Sequence, residues 1–431
     1  MKKSLDNLLT RLFLFGYAYV FPFYLMNVEH QIFGYLGRPE FKIGLQTNIS
    51  FVALILFYEL CRFICKTFPN IFHFYYICMI VPQTYYICGD EGNRYILPLF
   101  LCILFLLVFT IVGKQNYRLG NIRTVELSVN ILKHKLNYYI GFILIILVMT
   151  QANFIINFDL SQVYVTRLAA RETTQSTLLG YSLMWLSNFY SFIYLVFALE
   201  ARNKILKIAN FLIFSVCMLI TFFVTAAKTS LFLYVVIILV LILRNSFFRR
   251  TKKLWNFVMP ASFLILMMSS WRLFTNIGDI WIASLYSRLA IVPSLSPVHY
   301  VEFAHSSGFF LMRDWSVINK FYPFYATNSK GFQLGKALYN SDKTNLNSAL
   351  FANAYLDGAV FAVMFFAIIL GLFLNFLRER PSDHSINKDI KWFFAMNIIY
   401  WSIERSLNAM LISGGLLLIL TLISKERPKW N

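Results

Sequence analysis

The chain has 431 residues, of which 58% are hydrophobic and 18% aromatic. Its mean hydropathy of +0.62 excludes a soluble fold of this size and predicts an all-α polytopic integral membrane protein. The net charge of +19 does not indicate nucleic-acid binding, because the basic residues are dispersed between apolar runs without a nucleic-acid-binding motif.

The N-terminus carries Lys2 and Lys3 ahead of an apolar run at 11–28. This order resembles a secretory signal peptide, but it lacks a small-residue cleavage site, and further apolar runs follow. We therefore expect a retained first membrane helix.

Apolar runs continue along the chain at lengths that suit membrane helices, which need roughly 20 residues. We predict about twelve spans in a single membrane domain over 1–431. The last two are short, and one tilted helix over 391–424 is the alternative. The predicted spans are 11–28, 47–65, 71–88, 95–113, 137–157, 179–199, 206–225, 230–244, 254–271, 350–376, 391–404 and 408–424.

The lysines and arginines between these spans predict the orientation of the chain. With the N-terminus inside, alternate connectors such as 114–136 collect most of the cations. Because cytoplasmic connectors carry the excess of positive charge, both termini are expected in the cytoplasm, and the connectors 158–178 and 272–346 outside. The connector 114–136 mixes basic and apolar residues, which predicts either a helix on the inner leaflet or a solvated loop.

The six cysteines all lie inside or at the edges of apolar runs, which is typical of buried side chains and implies no disulfide framework. Cys61 and Cys65 lie one helical turn apart without further metal ligands nearby. The sequence also lacks zinc-hydrolase, Walker and Ser-His-Asp patterns. No metal ion and no other cofactor is therefore expected.

The longest polar stretch, 272–346, is the candidate functional face. It lies between two predicted spans and contains seven lysines and arginines, two histidines and three prolines. A loop of this length is uncommon unless it has a function, because ordering it costs conformational entropy. Within it, residues 280–292 have helical apolar spacing, and Pro293 is expected to end that helix, which directs Arg288 along the membrane surface.

Outward-facing arginines predict a site for a diphosphate headgroup whose lipid tail stays in the bilayer. Arg167 and Arg171 lie four apart in the connector 158–178, and Arg272 and Arg288 lie near the membrane end of the long loop. The planar guanidinium binds phosphate through two parallel hydrogen bonds. Contact with lipid headgroups, or salt bridges to nearby acidic residues, is the alternative explanation.

Two further cations lie in predicted outer turns. Arg405, with Glu404, interrupts the last apolar hairpin, and charges at membrane depth usually line a polar cavity or pair with one another. Lys228 lies in the small-residue turn 226–230. For both, a plain outer turn without a functional role is the alternative.

Three titratable residues are candidates for the chemistry itself. His299 and His305 in the long loop have the side chain best suited to remove a hydroxyl proton near neutral pH, although surface histidines without a role are common. Asp357 lies at the start of the tenth predicted span. A carboxylate there must be solvated or paired, and a neighbouring arginine is the expected partner.

Taken together, the pattern resembles the Wzy-type O-antigen polymerases of Gram-negative inner membranes. The resemblance covers the whole chain through the number of spans, the inner termini, the large outer loop before the tenth span and the smaller arginine-bearing loop before the sixth. Locally, Asn347, Phe351, Tyr355 and Asp357-Gly358 resemble the family's stretch entering the tenth span, often of Asp-Phe-Gly type. The turn Lys228-Thr229-Ser230 is similar to a family turn of Gly-Ser/Thr-Lys/Arg-Ser type, without the glycine of that turn.

This resemblance implies a GT-C-like architecture and glycosyl transfer at the periplasmic face without a metal ion. The substrates would be undecaprenyl-diphosphate-linked oligosaccharides held among membrane lipids, and a Wzz-type chain-length regulator is a further candidate partner. Catalytic roles would fall to Arg288, Asp357, His305 and His299, and diphosphate binding to Arg167, Arg171, Arg272, Lys228 and Arg405.

Two other functions stay open from the sequence. An O-antigen ligase uses the same class of donor, but its family stretch typically has a histidine just before the tenth span, where this chain has Asn345 and Asn347. A lipid-linked oligosaccharide flippase would be similarly basic, with its cations in a cavity between spans and no need for a long outer loop.

Overall fold

The computed structural model describes 18 parts of the chain, and all structural statements refer to these residues. They are 2–20, 44–64, 69–89, 91–114, 127–129, 135–152, 177–201, 203–225, 234, 287–313, 318, 321, 330–340, 346–376, 398–403, 405–411, 418 and 423–425.

The chain divides into two compact units. The first comprises Met1–Asn116, Arg250–Phe376 and Ile399–Leu407, and the second comprises Tyr117–Arg249, Leu377–Ile398 and Asn408–Asn431. The candidate site residues that the structure describes all belong to the first unit.

The described part of the first unit is helical. Its helices are α1 (Lys2–Val20), α2 (Leu45–Ile64), α3 (Pro69–Tyr75), α4 (Val81–Ile87), α5 (Asn93–Lys114), α6 (Val292–Ser307), α7 (Lys330–Tyr339) and α8 (Leu350–Phe376). Residues 398–403 are also helical, and they are tied to α3 because the Tyr75 hydroxyl donates to the carbonyl oxygen of Ser402 over 3.0 Å. Residues 405 and 406 are not helical, whereas helix begins again at Leu407. Glu404 lies outside the described residues.

Four helices among the described residues are long and apolar enough to cross a membrane. They are Asn93–Gly113, Leu178–Leu199, Lys204–Val224 and Leu350–Leu374. All four coincide with predicted spans, so the prediction of a helical membrane protein is confirmed at this level. The predicted spans 230–244 and 254–271 fall almost wholly outside the described residues.

The core of the first unit lies where α8 packs against α5. At Gly371 of α8, an added Cβ would lie 3.0 Å from Cγ1 of Val112 and 3.1 Å from the carbonyl oxygen of Phe109. Small residues at such contacts let two membrane helices approach closely. This close packing fixes α8, which carries Asp357.

Two π-helical turns with similar sequences lie next to each other in the first unit. Tyr76–Ile80 precedes α4, and Ser287–Ile291 precedes α6. Each is followed by Val-Pro, with Pro82 and Pro293 in the first turn of the next helix. The two segments are joined by a hydrogen bond of 3.0 Å from the Gln83 side chain to the Ser294 carbonyl.

The prediction that Pro293 ends a helix is therefore wrong. Helical backbone continues from Ser287 to Ser307, and Pro293 lies in the first turn of α6. Proline is tolerated in a first turn because its missing N–H would have no intrahelical partner there. The described part of the predicted outer loop thus contains two helices, α6 and α7.

In the second unit, described helices span Lys135–Gln151, Thr177–Trp185, Ser191–Glu200 and Lys204–Thr225, with a π-helical turn at Leu186–Tyr190. Two short strands, Leu127–Val129 and Ile423–Lys425, form an antiparallel pair with Ser128 opposite Ser424. In the connector 114–136 the structure describes 114, 127–129, 135 and 136, and residues 127–129 form a strand where the sequence predicted a helix or a solvated loop. The predicted span 408–424 is also wrong at its end, where strand replaces helix.

Candidate functional site

Helix α8 is broken directly after Asp357. Gly358 and Ala359 have non-helical backbone angles, and Ala359 has φ +54° and ψ −149°. This region is unfavourable for a residue with a Cβ and costs on the order of 1–3 kcal/mol. Such strain is retained where the surrounding structure holds it, and it concentrates at functional sites.

The two parts of α8 have different surroundings. Every residue from 350 to 357 is buried. After the break, exposed residues recur with helical spacing at Phe361, Phe365, Ile368 and Leu372. Such an apolar stripe suits contact with lipid, and it lies within Leu350–Leu374, one of the helices long and apolar enough to cross a membrane. Gly358 and Ala359 at the break are half-buried, whereas Asp357 directly before them is 2% exposed.

Asp357 forms an ion pair with Lys330, the first residue of α7. Lys330 Nζ lies 2.5 Å from Oδ1 of Asp357, and the two side chains are 3% and 1% exposed. The same ammonium lies 5.9 Å from the ring centroid of Phe310. The ion-pair partner described for the carboxylate is thus a lysine, where the sequence predicted an arginine.

A tight turn after α6 also binds this end of α8. Gly308, Leu311 and Met312 have positive φ angles of 82°, 52° and 59°. The turn brings the Phe310 N–H within 2.8 Å of the Leu356 carbonyl oxygen, and the Met312 N–H within 3.1 Å of Oδ1 of Asp357. Asp357 is therefore held from two directions, by α7 and by the turn.

His305 meets the same segment of α8 through Tyr355. His305 Nε2 lies 3.0 Å from the Tyr355 hydroxyl oxygen. The Phe309 ring packs edge-on against Tyr355, with ring centroids 5.8 Å apart. His305 and Phe309 are exposed, whereas Tyr355 is buried. Two candidates chosen from the sequence, His305 and Asp357, thus lie at one short segment of α8.

His299 belongs to a separate charged cluster that ties α6 to the start of α5. The Arg94 guanidinium binds both carboxylate oxygens of Glu302, over 2.5 and 2.9 Å, and also binds Glu91. His299 Nδ1 lies 3.7 Å from Oε2 of Glu302. Partial burial raises the pKa of Glu302, but the hydrogen bonds and charge of Arg94 outweigh this effect, and the pKa is lowered from 4.5.

The other predicted site residues are described only in part. Arg288 lies in the π-helical turn Ser287–Ile291, and its side chain lies outside the description. Arg405 is half-buried, and its guanidinium lies 5.3 Å from the ring centroid of Trp401. Arg167, Arg171, Arg272 and Lys228 lie outside the described residues.

Sequence reasoning missed Lys330 and the position of Tyr355. Lys330 was one of seven cations in the long loop, and nothing local distinguishes it except the following Gly331, which lies buried beside it. Tyr355 lies two residues before Asp357 and appeared only as part of the family-like stretch. Arg94 and Glu302 were missed because each is one charge at the edge of an apolar run.

The site combines three chemical functions. Asp357 is an ion-paired carboxylate with restricted access to water. His305 is an exposed imidazole that contacts the buried Tyr355, and Phe309 offers an exposed aromatic ring. An exposed imidazole can accept a proton from a hydroxyl, and a carboxylate held in place can orient or stabilise positive charge.

Comparisons with known proteins add no name to this description. No protein-family model, no curated protein and no solved structure matches the chain.

Proposed function

We propose that this protein is a Wzy-type polymerase of lipid-linked oligosaccharides. In this reaction a growing glycan leaves undecaprenyl diphosphate and is transferred to a hydroxyl of the next lipid-linked repeat unit at the outer face of the bacterial inner membrane. The bond between the anomeric carbon and the diphosphate oxygen breaks, its electron pair leaves with the diphosphate, and the hydroxyl proton goes to a base.

The observation that carries the proposal is the convergence of His305 and Asp357 on residues 355–357. The hydroxyl-bearing Tyr355 links the imidazole to α8, and Asp357 follows two residues later. A base and a carboxylate are the groups that a metal-independent glycosyl transfer needs. Strained backbone at Ala359, next to the carboxylate, supports a functional role for this segment.

The links between segments also fit the predicted orientation. Glu91 and Arg94 lie at the predicted outer connector between spans three and four. Arg94 binds Glu302 of the predicted outer loop, and Glu91 binds the same guanidinium. The strand Leu127–Val129 of a predicted cytoplasmic connector pairs with Ile423–Lys425, which lies where the predicted last span meets the predicted cytoplasmic tail. The Arg94–Glu302 contact joins two segments on the same predicted side, which supports an outward-facing His305.

The leaving diphosphate carries the charge that develops during transfer, and cations near the outer leaflet would stabilise it. In the proposal Arg288 and Arg272 serve this role at the long loop, with Arg167 and Arg171 from 158–178 and with Lys228 and Arg405 as further cations. His305 is the proposed base, with His299 as the second candidate for that role. The chemistry requires no metal ion.

A deletion strain tests the proposal. We expect lipopolysaccharide capped with a single repeat unit in place of a ladder of lengths on gels, with the ladder restored by the plasmid-borne gene. An unchanged ladder would reject the polymerase. Complete loss of O-antigen would favour a ligase or a flippase.

The break in α8 favours a second candidate, a transporter of the same lipid-linked oligosaccharides. Interrupted membrane helices with ionisable residues at the break recur in transporters, where they form the substrate site. The two functions differ in a purified system. A polymerase lengthens the glycan when protein and lipid-linked repeat unit are mixed in detergent, whereas a transporter has no effect there and moves the lipid only across a sealed bilayer.

A further inference from the structure

The geometry points to a sugar-binding subsite formed by Phe309, His305 and Tyr355. The ligand is a sugar ring of the oligosaccharide substrate, so this inference rests on the proposed function and adds the place where the carbohydrate is held. The diphosphate is assigned in the proposed function to other residues, the arginines and Lys228.

The surface has the mixed chemistry that a sugar ring requires. A pyranose has a face of C–H groups and an edge of hydroxyls. Phe309 is 40% exposed and offers an aromatic ring to the C–H face, and the exposed His305, Ser306 and Ser307 offer donors and acceptors to the hydroxyls. A few polar groups beside an apolar surface are typical of small-molecule sites.

Backbone geometry creates this surface. Helix α6 ends at Ser307, and Gly308 follows with φ +82°, a conformation that glycine adopts without strain. The chain therefore turns sharply between Ser307 and Phe309. The turn then continues to Met312, whose N–H binds Asp357. Phe309 thus lies three residues before Met312, the residue whose N–H binds the candidate catalytic carboxylate.

Tyr355 makes the subsite rigid before any ligand binds. It is 6% exposed, and it contacts His305 through its hydroxyl and Phe309 through its ring. The His305 and Tyr355 rings are also in edge-on contact, with centroids 6.0 Å apart. Side chains that are already fixed lose little entropy when a ligand binds. This low cost matters for a neutral sugar, which gains no charge interactions on binding.

The surroundings of Phe309 differ from those of a lipid-facing aromatic residue in the same unit. Phe361 is 80% exposed on α8 and shares its stripe with the apolar Phe365, Ile368 and Leu372. Phe309 instead follows a histidine and two serines, and within the described stretch 305–313 Leu311 is the other exposed apolar residue. The polar side chains around Phe309 are exposed, and their remaining hydrogen-bonding capacity suits the hydroxyls of a sugar better than hydrocarbon.

Saturation-transfer NMR tests the subsite with the purified full chain in detergent. The probe is the free repeat-unit oligosaccharide of the source strain, released from its lipid diphosphate by mild acid, so that it cannot bind through the phosphates. We expect saturation of its ring protons by the wild-type protein. Phe309→Ala should weaken binding about tenfold, and Phe309→Tyr should retain it because the ring is kept.

Phe361→Ala is the matched control, since it removes an exposed aromatic ring from the lipid-facing stripe. It should bind the probe as the wild type does. Tyr355→Phe keeps the ring contact with Phe309 but removes the hydroxyl that holds His305, and it should weaken binding less than Phe309→Ala. Equal binding by Phe309→Ala and wild type, or a loss in Phe361→Ala equal to that in Phe309→Ala, would overturn the subsite.

Failure of the subsite and failure of the proposed function give different results. If deletion of the gene abolishes the ladder while Phe309→Ala binds the probe normally, the polymerase stands and the subsite is wrong. If the probe binds through Phe309 while deletion leaves the ladder intact, the subsite stands and the polymerase is wrong.

Discussion

The ammonium of Lys330 and the carboxylate of Asp357 meet over 2.5 Å in a place that is almost closed to solvent. Removing one member of a buried ion pair leaves the other charge without compensation, which costs about 3–5 kcal/mol. We therefore expect Lys330→Met and Asp357→Asn each to lower the melting temperature of the detergent-solubilised protein strongly. The double variant Lys330→Met with Asp357→Leu should regain most of the lost stability, because two apolar side chains replace the pair.

Lys336→Met provides the control for this pair, because Lys336 is an exposed lysine of the same helix α7. Its melting temperature should stay near that of the wild type. Ladder formation by the double variant then shows whether the ion pair has only a structural role or whether Asp357 is also catalytic. A stable double variant that still forms the ladder would show that Asp357 has no catalytic role, and a stable variant without the ladder is the expected result.

Ala359 carries backbone strain that glycine would relieve. Its φ of +54° with ψ −149° is a glycine-like conformation. Ala359→Gly should raise the free energy of unfolding by about 1 kcal/mol, because the strain removed exceeds the entropy that glycine adds to the unfolded chain. Thermal melts of the purified protein measure this change.

The same substitution within regular helix should have the opposite sign. Ala367 is buried in the helical part of α8 after the break. Ala367→Gly should destabilise by about 1 kcal/mol, since glycine disfavours helix and leaves a small void. Destabilisation of similar size by both variants would contradict the strained geometry at Ala359.

Glu302 makes stability depend on pH through its contact with Arg94. Its pKa is lowered in the folded protein, so the unfolded chain binds the proton more readily. The stabilisation is therefore complete above the unfolded pKa and is lost as the pH falls through the folded pKa. Glu302→Gln should be less stable than the wild type at pH about 7, by up to about 1 kcal/mol, because the pair is partly exposed. This difference should vanish at strongly acidic pH.

Glu91→Gln is the matched variant for this prediction, since Glu91 binds the same guanidinium but its side chain is 61% exposed. It should lose less stability than Glu302→Gln. Melting temperatures of both variants across the acidic range provide the comparison. A difference between wild type and Glu302→Gln that stays constant on acidification would exclude the carboxylate as its source.

The parts of the fold that depend on long apolar runs were predictable. Helix α8 spans 350–376 in both prediction and structure, because its composition leaves no other solution in a membrane. The break at Gly358 and Ala359 was not predictable. Hydropathy is averaged over a whole apolar run and does not reveal two residues with unusual backbone angles, and a single glycine in such a run is common. Pro293 was misjudged for a related reason, because the π-helical turn before it depends on packing against 76–80.

The candidate site was predictable only as single residues. His305 and Asp357 were chosen for their chemistry, but the sequence could not show that His305 contacts Tyr355, two residues before Asp357. The Lys330–Asp357 pair joins residues on two different helices, α7 and α8, and depends on how the intervening chain folds back. Charged partners distant in sequence have no local signature, and this explains why an arginine was expected in place of the lysine.

Arg288 provides the test of diphosphate binding, because it lies in the π-helical turn that leads into α6, the helix that also carries His305. Lysine keeps the charge but lacks the planar fork that binds two phosphate oxygens at once. If the guanidinium grips the leaving diphosphate, Arg288→Lys should shorten the O-antigen ladder and Arg288→Ala should shorten it further, by a loss on the order of tenfold or more in transfer rate. Equal amounts of variant and wild-type protein in membrane fractions would exclude misfolding as the cause. A normal ladder from Arg288→Ala would remove this residue from the site, whereas a normal ladder from Arg288→Lys alone would reduce its role to a point charge.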